Sequence, residues 1–302
     1  MEPCGILIVH KPVGITSHDV VGRVRRLFGT RRVGHTGTLD PLASGVLVVL
    51  VGRAAKAAEY LSADRKAYRA TLRLGLTTDT EDITGQVLTQ CHALPTEEEV
   101  MAVTKRFVGD LLQVPPMYSA LKVDGQKLYD LARKGQTVER EARPITVHSL
   151  SCERLSDSDY SLSVSCSAGT YIRTLCADIG AALGCGGVMA TLERTEAGGF
   201  PLADALTLDE LEAMSEAERI SCLRPTESLF ACLPALTLPA FYERLARNGC
   251  EIYQTKIKTD FPIGQRLRMQ DRDGSFYALG EVRDYEDGSA VKLIKLFDLN
   301  PT

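Results

Sequence analysis

The 302-residue chain contains no tryptophan, no Cys-x-x-Cys pair and no apolar run long enough to cross a bilayer. The first absence excludes nothing by itself. The second removes a common spacing of zinc ligands, and nine scattered cysteines, an odd count, do not suggest a disulfide framework. Cys166 and Cys176 fall at apolar positions of expected elements and read as small core residues, so reduced thiols and a cytoplasmic location are the expectation. The third absence argues against a membrane helix, and Glu2 and Pro3 stand where a secretory leader would be basic. An excess of positive charge is also missing, since the formal net charge is −4. That total speaks against a nucleic-acid partner, but its distribution does not. Residues 1–60 carry eight cations against four acids, whereas residues 204–230 carry seven acids against two cations. A locally basic face can bind phosphates whatever the total.

With 44% apolar and 25% charged residues, the composition is that of an ordinary globular protein, long enough for one large domain and a small one. Ser17 is a good N-cap for a helix through Phe28, stopped by Gly29. Val20, Val21, Val24, Leu27 and Phe28 form its apolar face. Arg23, Arg25 and Arg26 lie mostly off it, as a solvated side or as an edge that contacts phosphates. Residues 68–75 alternate in polarity and read as a half-buried strand. Thr96 and Glu99 form a capping box for a helix to about Phe107. Leu162, Val164 and Cys166 alternate in another strand. A helix follows Gly169 and Thr170, with Ile172, Leu175, Cys176, Ile179 and Leu183 on one side and Gly184 at its end. The mixture predicts an α+β fold with a mixed, mainly antiparallel sheet and flanking helices.

Residues 115–143 are weakly periodic and rich in Lys, Arg and Gly, as expected of a mobile insertion or a surface hairpin. The acidic stretch 204–230 reads as a helical linker. Beyond Pro234, Gly264, Gly274, Gly280 and Gly288 are expected to separate the short strands of a small all-β module. The predicted division is 1–232 and 233–302.

One loop stands out for chemistry. Val33-Gly34-His35-Thr36-Gly37-Thr38-Leu39-Asp40-Pro41-Leu42-Ala43-Ser44-Gly45 holds a single carboxylate. Pro41 pushes Asp40 away from helical angles, and the glycines allow tight turns. The following Val46–Val51 run reads as a buried strand, and Arg31 and Arg32 precede the loop. Asp40 is therefore either a turn former or a catalytic carboxylate facing an anionic substrate.

This string resembles the catalytic loop of the TruB family, the tRNA pseudouridine-55 synthases. Four further segments resemble family motifs, in the family's order: Lys11–Asp19, Lys66–Ala70, Val114–Lys122 and Gly169–Leu175. The resemblance implies a pseudouridine synthase fold with a looser C-terminal match to a PUA-like RNA-binding domain. It also implies a tRNA T-stem-loop substrate, no cofactor, no metal, no obligatory protein partner and a monomer. By resemblance Asp40 is the essential carboxylate, Tyr68 stacks on the flipped uracil, and Arg173 pairs with Asp40, with Asp82 as a second acidic partner. His35 lies where the flipped base had been, Tyr171 and Leu192 are pocket walls, and Lys11 supports the Pro12–Gly14 turn. The 115–143 insertion becomes a flap over RNA. Arg173 is notable on physical grounds too, since a cation in the first helical turn opposes the helix dipole. Glu193 and Arg194 follow Leu192 where the family usually has two basic residues, so a local contact is expected to differ. The alternatives are a guide-RNA-dependent synthase and a non-catalytic tRNA-binding or tRNA-folding protein. A phosphate loop at Gly34–Thr38 is disfavoured by the absence of a Gly-Lys-Ser/Thr ending.

Overall fold

The computed structural model describes residues 2–60, 65–119, 121–123, 125–132 and 134–297. Among these, nine strands form one sheet. Its main path runs Gly5–Lys11, Ala43–Val51, Gly187–Ala197, Lys66–Leu74, Asp159–Cys166, Arg143–Arg154 and Gly109–Gln113. Val33–His35 pairs onto Ala43–Val51, and Phe200–Pro201 onto Gly187–Ala197. Described neighbours are antiparallel except at one join, where Gly187–Ala197 runs parallel to Ala43–Val51.

Strand Ala43–Val51 reads as an unbroken apolar run because both of its faces are covered. Val46, Val48 and Leu50 point into one core cluster and Leu47, Val49 and Val51 into another, and all six are at most 1% exposed. Helix Ser17–Leu27 covers the second face with Val20, Val21 and Val24. On the other half of the sheet, Tyr68, Ala70, Leu72 and Leu74 alternate inward, as the sequence predicts. They pack with Leu162 and Val164 against helix Ile172–Ala182 through Ile172, Leu175, Cys176 and Ile179. Each fully buried Leu, Ile or Val among them contributes about 1.5–3 kcal/mol.

Two local expectations are corrected, the cap of the first helix and the 204–230 linker. Thr16, not Ser17, caps the first helix: its hydroxyl accepts from Asp19 N–H, and the Asp19 carboxylate accepts from Thr16 N–H. Two of the three arginines on that helix are engaged within the protein, Arg23 with Glu212 and Arg25 with the Val33 carbonyl. Residues 204–230 are helical in part, as expected, but are no mere linker. They hold helices Leu208–Ala213 and Glu216–Ser221, with Leu208 and Leu211 in the core, and they bond the free edge of the first strand through Leu206 and Arg224. An exposed edge is thereby covered.

Within 115–143 the chain forms a short hairpin, Lys122–Val123 with Gln126–Lys127, and helix Leu128–Ala132. The C-terminal region is a five-stranded, PUA-like β module ordered Ala235–Thr237, Arg266–Gln270, Phe276–Tyr285, Gly288–Leu296 and Ile252–Tyr253. Gly280 does not separate strands; it lies inside Phe276–Tyr285. A Cβ there would fall 2.9 Å from both Met269 Sδ and Val291 Cγ1, so packing requires the glycine. The module shares a core with the large sheet: Leu279 and Phe297 cluster with Ile6, Val48, Phe200 and Phe230. Tyr60 Oη donates to the Ile294 carbonyl across the same junction, at 3.3 Å.

Candidate active site

Asp40 lies in a loop whose two flanking strands pair with each other, His35 opposite Val49, so both ends of the loop are anchored. Three contacts shape it between those anchors. Ala43 N–H donates to the Asp40 carbonyl at 3.0 Å, and Gly14 N–H donates to the Pro41 carbonyl at 2.8 Å. Ser17, released from capping, accepts from Leu39 N–H at 2.8 Å and donates to the Leu39 carbonyl at 3.0 Å.

Arg173 sits one residue into its helix and is only 6% exposed. Its Nε lies 3.1 Å from Asp40 Oδ2. Its Nη2 donates to the Tyr118 carbonyl at 2.7 Å and its Nη1 to the Thr80 carbonyl at 3.2 Å. These acceptors offset the unfavourable position at the helix start. Asp82 Oδ2 is 3.9 Å from Nη1, a Coulombic rather than a hydrogen-bonding distance. Its Oδ1 is occupied by both hydroxyls of Thr80 and Thr84 and by Thr84 N–H. Beside it Glu81 adopts the left-handed φ of 62° and accepts from Thr174 Oγ1 at 2.6 Å.

Lys11 is fully buried at the end of the first strand, and its Nζ closes the following turn by donating to the Pro12 and Ile15 carbonyls, each at 2.8 Å. Burial pulls its pKa down to about 8, and the nearby Asp40 charge opposes that. His35 has a buried Nδ1 without a hydrogen-bond partner among the described residues. Burial, then the Arg194 charge, hold its imidazole below the usual range. Tyr68 is buried on strand Lys66–Leu74. Burial pushes its phenol up, and the Arg194 guanidinium beside it acts the other way.

Tyr171 is the N-cap residue of the Arg173 helix, and its backbone is pinned in both directions by the Gln113 side chain. Leu192 packs partly against the Tyr68 cluster and lines a groove of about 450 Å³ with Val13, Leu42 and Thr71.

The fold thus brings Asp40, Arg173 and Asp82 into one line of charge, with Lys11 nearby. Sequence reasoning missed Ser17 as the anchor of the loop, the Tyr118 carbonyl as a partner of Arg173, and Arg194 as a buried neighbour of Tyr68. Arg194 carried a signal, the basic residue expected just after Leu192, but only the sheet register shows where it goes.

Residues 25–172 match the family model described as TruB family pseudouridylate synthase (N terminal domain). Residues 173–231 match that of the tRNA pseudouridylate synthase B C-terminal domain. A Burkholderia mallei protein named tRNA pseudouridine synthase B is 44% identical over 271 residues, 89% of this chain and 90% of its own length. The chain belongs to the TruB family. A protein of the same name from Methylobacillus flagellatus is 41% identical over 277 residues, 92% of this chain and 90% of its own. Among solved structures, a chain from a Cbf5-Nop10-Gar1 complex superposes with a TM-score of 0.72 at 25% identity, over 97% of this chain and 85% of that one. The TruB-family models meet at residues 172 and 173, yet strand Gly187–Ala197, from the second, lies at the centre of the first one's sheet.

Proposed function

We propose that this TruB-family pseudouridine synthase isomerises the T-loop uridine of tRNA, position 55, using the Asp40 carboxylate. The observation that carries the reading is the Arg173 Nε–Asp40 Oδ2 contact at 3.1 Å. A buried guanidinium aims a 40% exposed carboxylate, on a loop otherwise fixed by hydrogen bonds to its backbone. The reaction breaks the N1–C1′ bond, turns the uracil and joins C5 to C1′. Atoms are conserved, so neither a redox partner nor a metal is needed. Asp40 attacks C1′ or C6, or takes a proton from C2′; the three routes share the same carboxylate. The target base is extruded from its stack into the pocket beside Tyr68, with Tyr171 and Leu192 as walls. His35, its imidazole held below the usual range by burial, faces the RNA at the vacated place. Lys11 holds the adjoining turn, and Asp82 backs Arg173.

Support for tRNA comes from the curated relatives, whose name states that substrate. We place the enzyme among stand-alone monomeric synthases. The segment Tyr118–Gly125 supports this, although Ala120 and Asp124 lie outside the described residues. The solved relative in a complex with Nop10 and Gar1 keeps the partner-dependent reading open to test.

The test is tritium release from a tRNA transcript labelled at uridine C5, with wild type and Asp40→Asn side by side and nothing else added. Release by wild type alone, abolished by a T-loop U→C transcript, is the expected result. Comparable release by Asp40→Asn would sink the assignment. Tight binding with no release by either protein would favour a guide-dependent enzyme or a tRNA-binding protein.

A further inference from the structure

Arg194 is the largest fully buried side chain among the described residues, at 1% exposure. Its Nε donates to the Val46 carbonyl at 2.7 Å, its Nη2 to the Gly37 carbonyl at 3.0 Å and its Nη1 to the Thr38 carbonyl at 3.5 Å. Gly37 and Thr38 belong to the loop that carries Asp40. On the sheet, Arg194 lies opposite Gly45 on one side and opposite Tyr68 on the other. The approach at Gly45 is so close that a Cβ there would stand 2.2 Å from the Arg194 carbonyl oxygen, at a φ of +106°. Arg194 is thus fixed by its backbone between the strand that leaves the Asp40 loop and the strand that carries Tyr68.

Burying a guanidinium is costly unless its donors are satisfied. Here the hydrogen bonds go to carbonyls of the loop and of the strand that leaves it. The fork geometry of arginine allows one residue to hold several acceptors at once. It offers five N–H donors and no acceptor. The Tyr68 oxygen beside it can therefore only accept from it, which leaves the phenolic proton for another partner.

We propose that Arg194 is a positioning residue: one guanidinium ties the Asp40 loop to the Tyr68 phenol, setting the spacing between carboxylate and phenol and leaving the phenolic proton for the uracil. The inference rests on the reading of this site as a pseudouridine synthase centre. Burial and the guanidinium act on Tyr68 in opposite directions, so removal of the guanidinium raises the phenol further.

The experiment uses Arg194→Lys in the full-length enzyme, which keeps the charge and loses the fork. With saturating tRNA transcript, the single-turnover rate is expected to fall on the order of 100-fold, the usual effect of misplacing reacting groups by about 1 Å. Transcript affinity is expected to stay at the wild-type value. With tyrosine labelled at ¹³Cζ, the Tyr68 resonance, assigned by its loss in Tyr68→Phe, is expected to move. A wild-type rate, or a rate loss with the Tyr68 resonance unmoved, overturns the proposal. If Arg194→Lys does not fold, Arg194→Gln, which keeps N–H donors but not the fork, takes its place. It must then lower the rate and shift the Tyr68 resonance, and a normal rate overturns the proposal as firmly. Asp40→Asn in the same assay separates the two readings. Turnover by that variant removes the functional assignment, whereas an inactive Asp40→Asn beside a fully active Arg194→Lys removes only the role of Arg194.

Discussion

Ser17 bonds both backbone groups of Leu39, a residue 22 positions away in sequence and the immediate neighbour of Asp40. Thr16 performs the helix capping, which leaves the Ser17 hydroxyl free to act as both donor and acceptor. The start of a rigid helix thereby fixes the height of the loop on which Asp40 stands. Ser17→Ala leaves a buried N–H and a buried carbonyl unpaired, at a cost of about 1–3 kcal/mol. The expected outcome is a lower urea midpoint together with a lower single-turnover rate. Unchanged values for both would show that the loop holds its shape without Ser17.

Arg173→Ala is expected to act on chemistry far more than on binding. The loss of stability should be smaller than the ~3–5 kcal/mol of a fully buried broken pair, because the Asp40 side chain keeps 40% exposure. The rate on bound substrate should drop by roughly two orders of magnitude, in the range found for removal of one preorganised charge donor. Single-turnover assays over a range of tRNA concentrations separate the two effects. A pure loss of affinity would contradict the ion-pair role.

Lys11 gives stability a definite pH dependence. Folding draws its pKa from 10.5 down to about 8, so across that interval the unfolded chain holds more protons than the native one. Its contribution therefore rises with pH from about 8 to about 10.5, and below that window the buried charge costs stability throughout. Lys11→Met should remove this increment. Urea unfolding of both proteins through the alkaline range reads the difference, in which the tyrosines common to both cancel. Parallel curves would rule out a buried, depressed Lys11.

Phe297 ties the C-terminal module to the catalytic sheet. Its ring centroid lies 5.3 Å from that of Phe276 and 5.8 Å from that of Phe230, and it is 6% exposed. Phe297→Ala should cost about 3–5 kcal/mol and lower one cooperative transition for the whole chain. Two separated transitions, with the first at the wild-type midpoint of the catalytic sheet, would mean that the module folds by itself. Because Leu279 and Phe297 cover Ile6 and Val48, a chain truncated near residue 236 exposes core and does not report cleanly on RNA binding.

The sequence by itself determined the elements whose pattern is local. Alternation at Tyr68–Leu74, the Thr96–Glu99 box and the Ile172–Ile179 face are set by side-chain period and short-range hydrogen bonds, and each appears where the pattern puts it. It also marked Arg173, since a cation at a helix start runs against local preference, and Asp40, the single carboxylate of a loop string that resembles a family motif. What the tertiary structure decided are contacts between residues distant in sequence. Ser17 was legible only as a cap, because its true partner, Leu39, lies on another segment. The 204–230 stretch reads as an acidic helical linker because seven acids stand against two cations, yet Leu206 and Arg224 bond a sheet edge and Leu208 and Leu211 enter the core. Arg194 could be recognised only as a basic residue near a family motif. Its role as the buried centre between Gly45 and Tyr68 follows from strand register, in which a shift of one residue would turn it to the opposite face.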